Sequence, residues 1–204
     1  MKRIAVLAAL LAGALLAAQA HAQARGTGAY VGAGVMQVYT DNATEFAYVT
    51  IPAGGSADST ATGFKIYGGY VWPARFGFEA GFYDLGTFST YAFGAKTDEF
   101  NTTALAFSGT FSMPLNPSVD VLFKLGFAYT DVDYRCFALC GGNYFDTSHT
   151  DIAALMSIGV DWRIASNFSV RADWEYFGGV IHYAGGMMGD YGYSAVAIAG
   201  QFRF

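Results

Sequence analysis

The sequence has 204 residues, 53% of them hydrophobic and 13% charged, with 11 Lys and Arg against 16 Asp and Glu for a net charge of −5 at pH 7. There is no basic patch or stripe, which excludes a nucleic-acid partner. After the first twenty residues no stretch of ~18 consecutive apolar residues occurs, which excludes a helical membrane span.

The chain opens as an export signal. Lys2 and Arg3 precede an apolar run from Ile4 to Ala18, and small residues with Ala-x-Ala spacing follow. The run is shorter than the ~20 residues an uncleaved spanning helix needs. Ala20-His21-Ala22 is the preferred cleavage site and Ala18-Gln19-Ala20 its rival. The expectation is a signal peptide over 1–22 and one mature domain over 23–204. Removing the signal takes away Lys2 and Arg3, so nine basic residues face the 16 acidic ones and the net charge becomes −7.

Eight alternating runs follow, at 29–40, 61–72, 75–87, 99–113, 118–133, 150–164, 168–180 and 191–204, and period-two alternation predicts a strand in each. The connections at 73–74, 114–117 and 165–167 are short. Those at 41–60, 88–98, 134–149 and 181–190 are longer and carry Gly, Ser, Thr, Asp and Asn. Long and short alternate strictly. In an up-and-down meander this gathers the long loops at one end and the tight turns, with both mature termini, at the other.

Each run has one oily face. Phe76, Phe78, Ala80 and Phe82 alternate with Arg75, Gly77, Glu79 and Gly81. Val119, Val121, Phe123, Leu125 and Phe127 alternate with Asp120, Leu122, Lys124, Gly126 and Ala128. In the last run Val196, Ile198, Gly200, Phe202 and Phe204 oppose Tyr193, Ala195, Ala197, Ala199, Gln201 and Arg203. A soluble, lipocalin-like barrel would bury the oily face. Three features favour the reverse. The charged face is also rich in Gly and Ala, as a crowded eight-stranded interior requires. Trp72, Phe76, Phe111, Trp162, Phe168 and Phe204 form an aromatic girdle beside the tight turns. No Lys or Arg stands mid-strand on the oily face, where it would cost ~2–4 kcal/mol in lipid.

The fold class expected is therefore all-β: an eight-stranded antiparallel up-and-down transmembrane β-barrel preceded by a cleavable signal peptide. Its inward charges are Lys65, Arg75, Lys124, Arg163, Arg171 and Arg203 against Glu79, Asp120, Asp161, Asp173 and Glu175. Buried charge is costly unless paired, so these groups should neutralise one another and plug the lumen; a gated polar path is the alternative. If the turn at 165–167 pairs Ile164 with Phe168, Asp161 faces Arg171, and an ion pair between them is expected. Tyr30, Tyr67, Tyr83 and Tyr193 join the lumen lining.

Cys136 and Cys140, the only cysteines, are expected to form a disulfide in an exported chain. A metal site would draw on Asp146 and His149 alone and is not expected. Around the cysteines, Phe137, Leu139, Tyr144 and Phe145 are candidate loop contacts, either anchoring a partner or folding down over the barrel mouth. The outer connections are acidic, with Asp41, Glu45, Asp58, Asp98, Glu99, Asp131, Asp133, Asp146 and Asp190 against Lys96 and Arg135.

The whole mature chain resembles the eight-stranded outer-membrane proteins of Gram-negative bacteria, the group of the OmpA-type transmembrane domain and the opacity and attachment-invasion proteins. Gly28-Ala29-Tyr30-Val31-Gly32-Ala33-Gly34-Val35 and the closing Gly200-Gln201-Phe202-Arg203-Phe204 carry the likeness. The resemblance implies a barrel in the cell outer membrane, periplasmic termini and extracellular loops. It implies that Phe202 and Phe204 are the signal read by the barrel-assembly machinery. Longer relatives carry a second, peptidoglycan-binding periplasmic domain; this sequence ends on its last strand, so no such tether is expected of it.

The expected function is an envelope-structural or surface-interaction role carried by extracellular loops, by a monomer without cofactor or metal. Its partners would be outer-membrane lipid and lipopolysaccharide, and a host or surface ligand. A porin-like small channel or a hydrophobic-ligand conduit is the alternative. A lipid A-modifying enzyme is less favoured. Ser148, His149, Asp151 and His182 lie at the outer end, but an adjacent Ser and His in a strand face opposite ways.

Overall fold

A computed structural model describes residues 27–40, 55–137, 146–184 and 187–204. Within them the chain forms β1 (Gly28–Thr40), β2 (Ser56–Ala57), β3 (Thr60–Val71), β4 (Phe76–Ala92), β5 (Ala95–Asn116), β6 (Val119–Cys136), β7 (Asp146–Arg163), β8 (Phe168–Ala184) and β9 (Met187–Arg203). The eight long strands pair with their chain neighbours, all antiparallel, and β1 closes on β9. β2 is a two-residue addition beside the outer part of β4. The predicted signal at 1–22 lies outside the described residues.

The stagger of the barrel can be followed through its ladders. Starting at Gly28, the row passes Val71, Gly77, Thr110, Lys124, Ser157, Glu175 and Ala195 and returns to β1 at Val38, ten residues further along. A closed sheet needs such a shear, because its strands must tilt to meet. Closure leaves neither edge strand of the eight unpaired, the condition for crossing a bilayer with strands.

Inside and outside follow the period-two pattern. Val35, Phe64, Leu125, Ile152, Ile198 and Phe202 face outward, while Tyr193, Ala195, Ala197, Ala199 and Gln201 are buried. The outward apolar stretch covers residues 105–113 on β5, 121–129 on β6 and 168–176 on β8, about the nine to eleven residues a tilted strand needs to cross the hydrocarbon. Above it, outward positions become polar: Leu105 opposite Tyr129 gives way to Thr103 opposite Asp131.

The tight turns are built locally. Trp72 N–H donates to the Phe76 carbonyl at 2.8 Å, and Arg75 N–H to the Trp72 carbonyl at 2.9 Å. Ser118 N–H donates to Asn116 Oδ1 at 2.8 Å. Ile164 N–H reaches the Phe168 carbonyl at 3.0 Å, as predicted, and Phe204 N–H ties the last residue to the Ala29 carbonyl at 3.0 Å.

Two expectations need correction here. The connections at 88–98 and 181–190 are mostly strand, because β4 with β5 and β8 with β9 extend as ribbons above the hydrocarbon; in the first, β-branched Thr87, Thr90 and Thr97 favour the extended form. Phe93 and Gly94, at φ of 52° and 77°, close the first ribbon as a two-residue hairpin. Arg75 is not a lumen charge: it sits exposed in the Trp72–Phe76 turn at a φ of 67°, which takes its side chain out of the strand's alternation. Of the expected loop disulfide, the Cys136 half is seen: Cys136 carries no free thiol and is disulfide-bonded. Cys136 is a buried, laddered strand residue opposite Asp98, and Cys140 lies outside the described residues.

Candidate functional site

Among the described residues, buried charge concentrates in the lumen. Arg171, Asp173 and Glu175 stand at alternate positions of β8, so all three point inward. Lys65 enters from β3, Lys124 from β6, and Glu79 from β4, which lies diametrically across the ring of strands from β8. All six are buried.

They form one continuous network. Arg171 donates to both Glu79 oxygens, Nη1 to Oε2 at 2.7 Å and Nη2 to Oε1 at 3.1 Å, the paired geometry of a guanidinium on a carboxylate. Its Nε reaches both Asp173 oxygens at 3.0 Å. Lys65 Nζ bonds Asp173 at 2.5 Å and Glu175 at 3.1 Å. Lys124 Nζ bonds Glu79 at 3.1 Å and also Glu175. The Tyr30 hydroxyl donates to Glu79 at 2.9 Å and the Tyr83 hydroxyl to Glu175 at 3.1 Å. The Tyr67 ring lies under Arg171 at 4.6 Å and Lys65 at 5.3 Å. Three cations meet three carboxylates, so the network carries no net charge. Each carboxylate has at least two cationic partners, the arrangement that lets charge survive desolvation. Gly159 gives it room: a Cβ there would lie 2.1 Å from Asp173 Oδ1.

A second tier lies nearer the tight turns. Asp120 and Asp161 are directly opposite each other on β6 and β7, where two like charges repel. Each takes its own arginine, Arg163 to Asp120 at 3.3 Å and Arg203 to Asp161 at 3.4 Å. Gln201 bridges the tiers, accepting from Arg171 at 3.3 Å and donating to Asp161 at 3.2 Å.

The expected Asp161–Arg171 ion pair is absent, although the register is as anticipated and the two are cross-strand neighbours. Neighbouring Cα atoms are closer than the reach of an Arg side chain, so the guanidinium overshoots Asp161 and meets Glu79 on the far wall. Residues not anticipated are Gln201 as the bridge and Asp98. Asp98 is buried at the outer end, accepting from Thr90 Oγ1 at 2.8 Å and from the Tyr134 hydroxyl. Its even-numbered position, in phase with inward Phe100 and Thr102, was the available signal.

At the outer end, Lys96 pairs with Glu99, and its Nζ lies 5.6 Å from the Phe137 ring. Leu139, Tyr144 and Phe145 fall outside the described residues. Ser148 is exposed on β7. His149 stands opposite Val132, and His182 opposite Gly189, in different strand pairs. Among the described residues no group of three or more His, Cys, Asp and Glu is placed to hold a metal ion. At the closing strand, the exposed Phe202 and Phe204 rings meet edge to face with centroids 5.3 Å apart.

The fold recurs in solved structures. Neisserial surface protein A is 16% identical with a TM-score of 0.57, over 86% of this chain and 97% of that one. Ail, the attachment invasion locus protein of Yersinia pestis, is 15% identical with a TM-score of 0.54 over the same shares; it has also been solved with the heparin analogue sucrose octasulfate. The outer membrane protein AlkL, solved in DMPC bilayers, is 11% identical with a TM-score of 0.54, over 91% of this chain and 94% of that one. No curated protein sequence matches the chain. The OmpA-like transmembrane domain matches residues 24–195, and it brings together the closed eight-strand wall, the oily exterior and the tight-turn end that carries both barrel termini. The chain belongs to the OmpA-like transmembrane domain family and is an outer-membrane β-barrel with periplasmic termini and extracellular loops.

Proposed function

We propose that this barrel is a non-catalytic envelope protein, sealed across its lumen, whose outer ribbons and loops meet a surface partner. The observation that carries the reading is the charge balance of the Lys65, Lys124, Arg171, Glu79, Asp173 and Glu175 network. Six buried ionic groups that satisfy one another fill the bore and fix the register of four strands. They leave no free charge to select or pass an ion. Outer-membrane lipid and lipopolysaccharide surround the wall, and the assembly machinery reads Phe202 and Phe204.

The outer end suggests the kind of partner. Asp58, Glu99, Asp131 and Asp133 lie on or above the polar belt, and Lys96, one of the few cations there, is already paired with Glu99. Such an end repels a sulfated polyanion of the kind bound to Ail, so a partner of this chain is neutral or cationic. Recording from planar bilayers tests the sealed lumen: the expected result is no steady conductance, and sustained single-channel steps would replace this reading with the small-channel one. Comparing a deletion strain with its parent for surface binding tests the other half.

A further inference from the structure

We infer that the lumen is wet from one end only. A blind aqueous vestibule, admitting water and small hydrophilic solutes, enters at the periplasmic turns along the β5–β7 wall. It rises to the ionic network and stops beneath an apolar layer, so the barrier to permeation is hydrocarbon rather than ion pairs.

Two independent observations carry this. The first is a cleft of about 270 Å³ at the tight-turn end, lined by Trp72, Ser112, Asn116, Asp120 and Arg163 among others. The second is a set of buried polar atoms beside and above it that have no partner in the protein: Asp161 Oδ1, Thr110 Oγ1, Ser157 Oγ and, on the facing wall, the Tyr67 hydroxyl; Thr40 Oγ1, beyond the apolar layer at the outer end, is separate from this group. Asp161, Thr110 and Ser157 are between 3% and 7% exposed. Buried hydroxyls and carboxylates without protein partners are where proteins hold ordered water, provided a polar site has room.

These atoms are arranged as a path. Thr110 is one inward step above the cleft residue Ser112 on β5. Thr110 and Ser157 flank Lys124 in the same ladder row, and that row continues to Glu175. The inward residues of β5 and β7 here are small or hydroxylic, namely Ser108, Thr110, Ser112, Ser157 and Gly159, with Leu122 of β6 between Ser112 and Gly159. Two residues further along each strand the lining changes to Ala106 on β5 and Leu155 on β7. Ala128 and Ala153 share the ladder row of Ala106, and Phe177 that of Leu155; with Leu85 all are buried, at 2% exposure or less. Tyr83 roofs the network, its hydroxyl on Glu175 and its ring 5.2 Å from Phe177. On the facing wall Tyr30, Tyr67 and Val71 pack in one apolar cluster, from which the Tyr67 hydroxyl is left without a partner.

Cysteine accessibility tests it. In full-length protein with Cys136 and Cys140 replaced by Ser, reconstituted in lipid nanodiscs, T110C, S157C, A128C and A153C are each exposed to a methanethiosulfonate ethylammonium reagent. Ser157→Cys is nearly isosteric and should keep the fold. The expected result is labelling at 110 and 157 on the order of tenfold faster than at 128 and 153, which open only by local unfolding. Equal rates at all four positions overturn the proposal. Adding Ser112→Trp at the mouth should slow both fast sites; unchanged rates place the entry elsewhere and also overturn it. In planar bilayers, Leu85→Ser with Phe177→Ser should open steady conductance while Glu79→Gln stays closed. Conductance from Glu79→Gln alone would return the barrier to the ion pairs. Conductance in the parent protein would sink the sealed-lumen function, while the labelling pattern would still decide the vestibule.

Discussion

Glu79 is the most consequential single residue of the network. It binds Arg171 through both oxygens at 2.7 and 3.1 Å, Lys124 at 3.1 Å and the Tyr30 hydroxyl at 2.9 Å, at 2% exposure. Replacing it with Gln keeps the volume and removes the charge, leaving three cations against two carboxylates in a deeply buried site. Removing one partner of a buried pair costs ~3–5 kcal/mol. Lys124→Met should cost a similar amount by the opposite imbalance. The double variant restores neutrality and should cost less than the sum of the two by about 2–3 kcal/mol. Urea titration of the protein in lipid vesicles, followed by tryptophan fluorescence, reads all three. A Glu79→Gln variant as stable as the parent, or strictly additive changes, would refute the view that these groups act as one balanced unit.

Three further outcomes are expected. A double-mutant cycle should give stronger coupling for Glu79–Arg171 than for Asp161–Arg171, despite the ladder neighbourhood of the second pair, as measured by the same titration. Gly159→Ala should destabilise by ~1–3 kcal/mol, because its methyl must displace Asp173 or the wall behind it. Leu125→Arg, in the middle of the outward apolar stretch, should cost ~2–4 kcal/mol in vesicles, whereas Thr103→Arg, above it, should cost little.

Much of this molecule could be read from its residues. The closing strand placed Val196, Ile198 and Phe202 outside and Ala195, Ala197 and Ala199 inside by alternation alone. The Ile164–Phe168 turn fixed the register of β7 against β8. Register, however, fixes only which Cα atoms are opposite. Which ions pair depends on how far a side chain reaches across a narrow bore, and Arg171 reaches a residue 92 positions away. The strand extensions were obscured because alternation of hydrophobicity fades where no hydrocarbon selects it, as along Thr87, Ser89, Thr97 and Glu99. A bulge between Asp84 and Thr87, where Gly86 has a φ of 84°, also swaps the inward phase of β4 and turns Phe88 toward Tyr193. Arg75 was misplaced for a related reason, because a turn residue at positive φ no longer follows the strand's period.

The most direct measurement exploits the three tryptophans, Trp72, Trp162 and Trp174, all of which face outward. Single-tryptophan variants, with the other two changed to Phe, can be folded into bilayers whose acyl chains carry bromine at defined depths. Hydrocarbon against the oily face predicts strong quenching of all three, with Trp174 deeper than the two beside the turns. Emission from Trp174 that no brominated chain quenches would contradict the account.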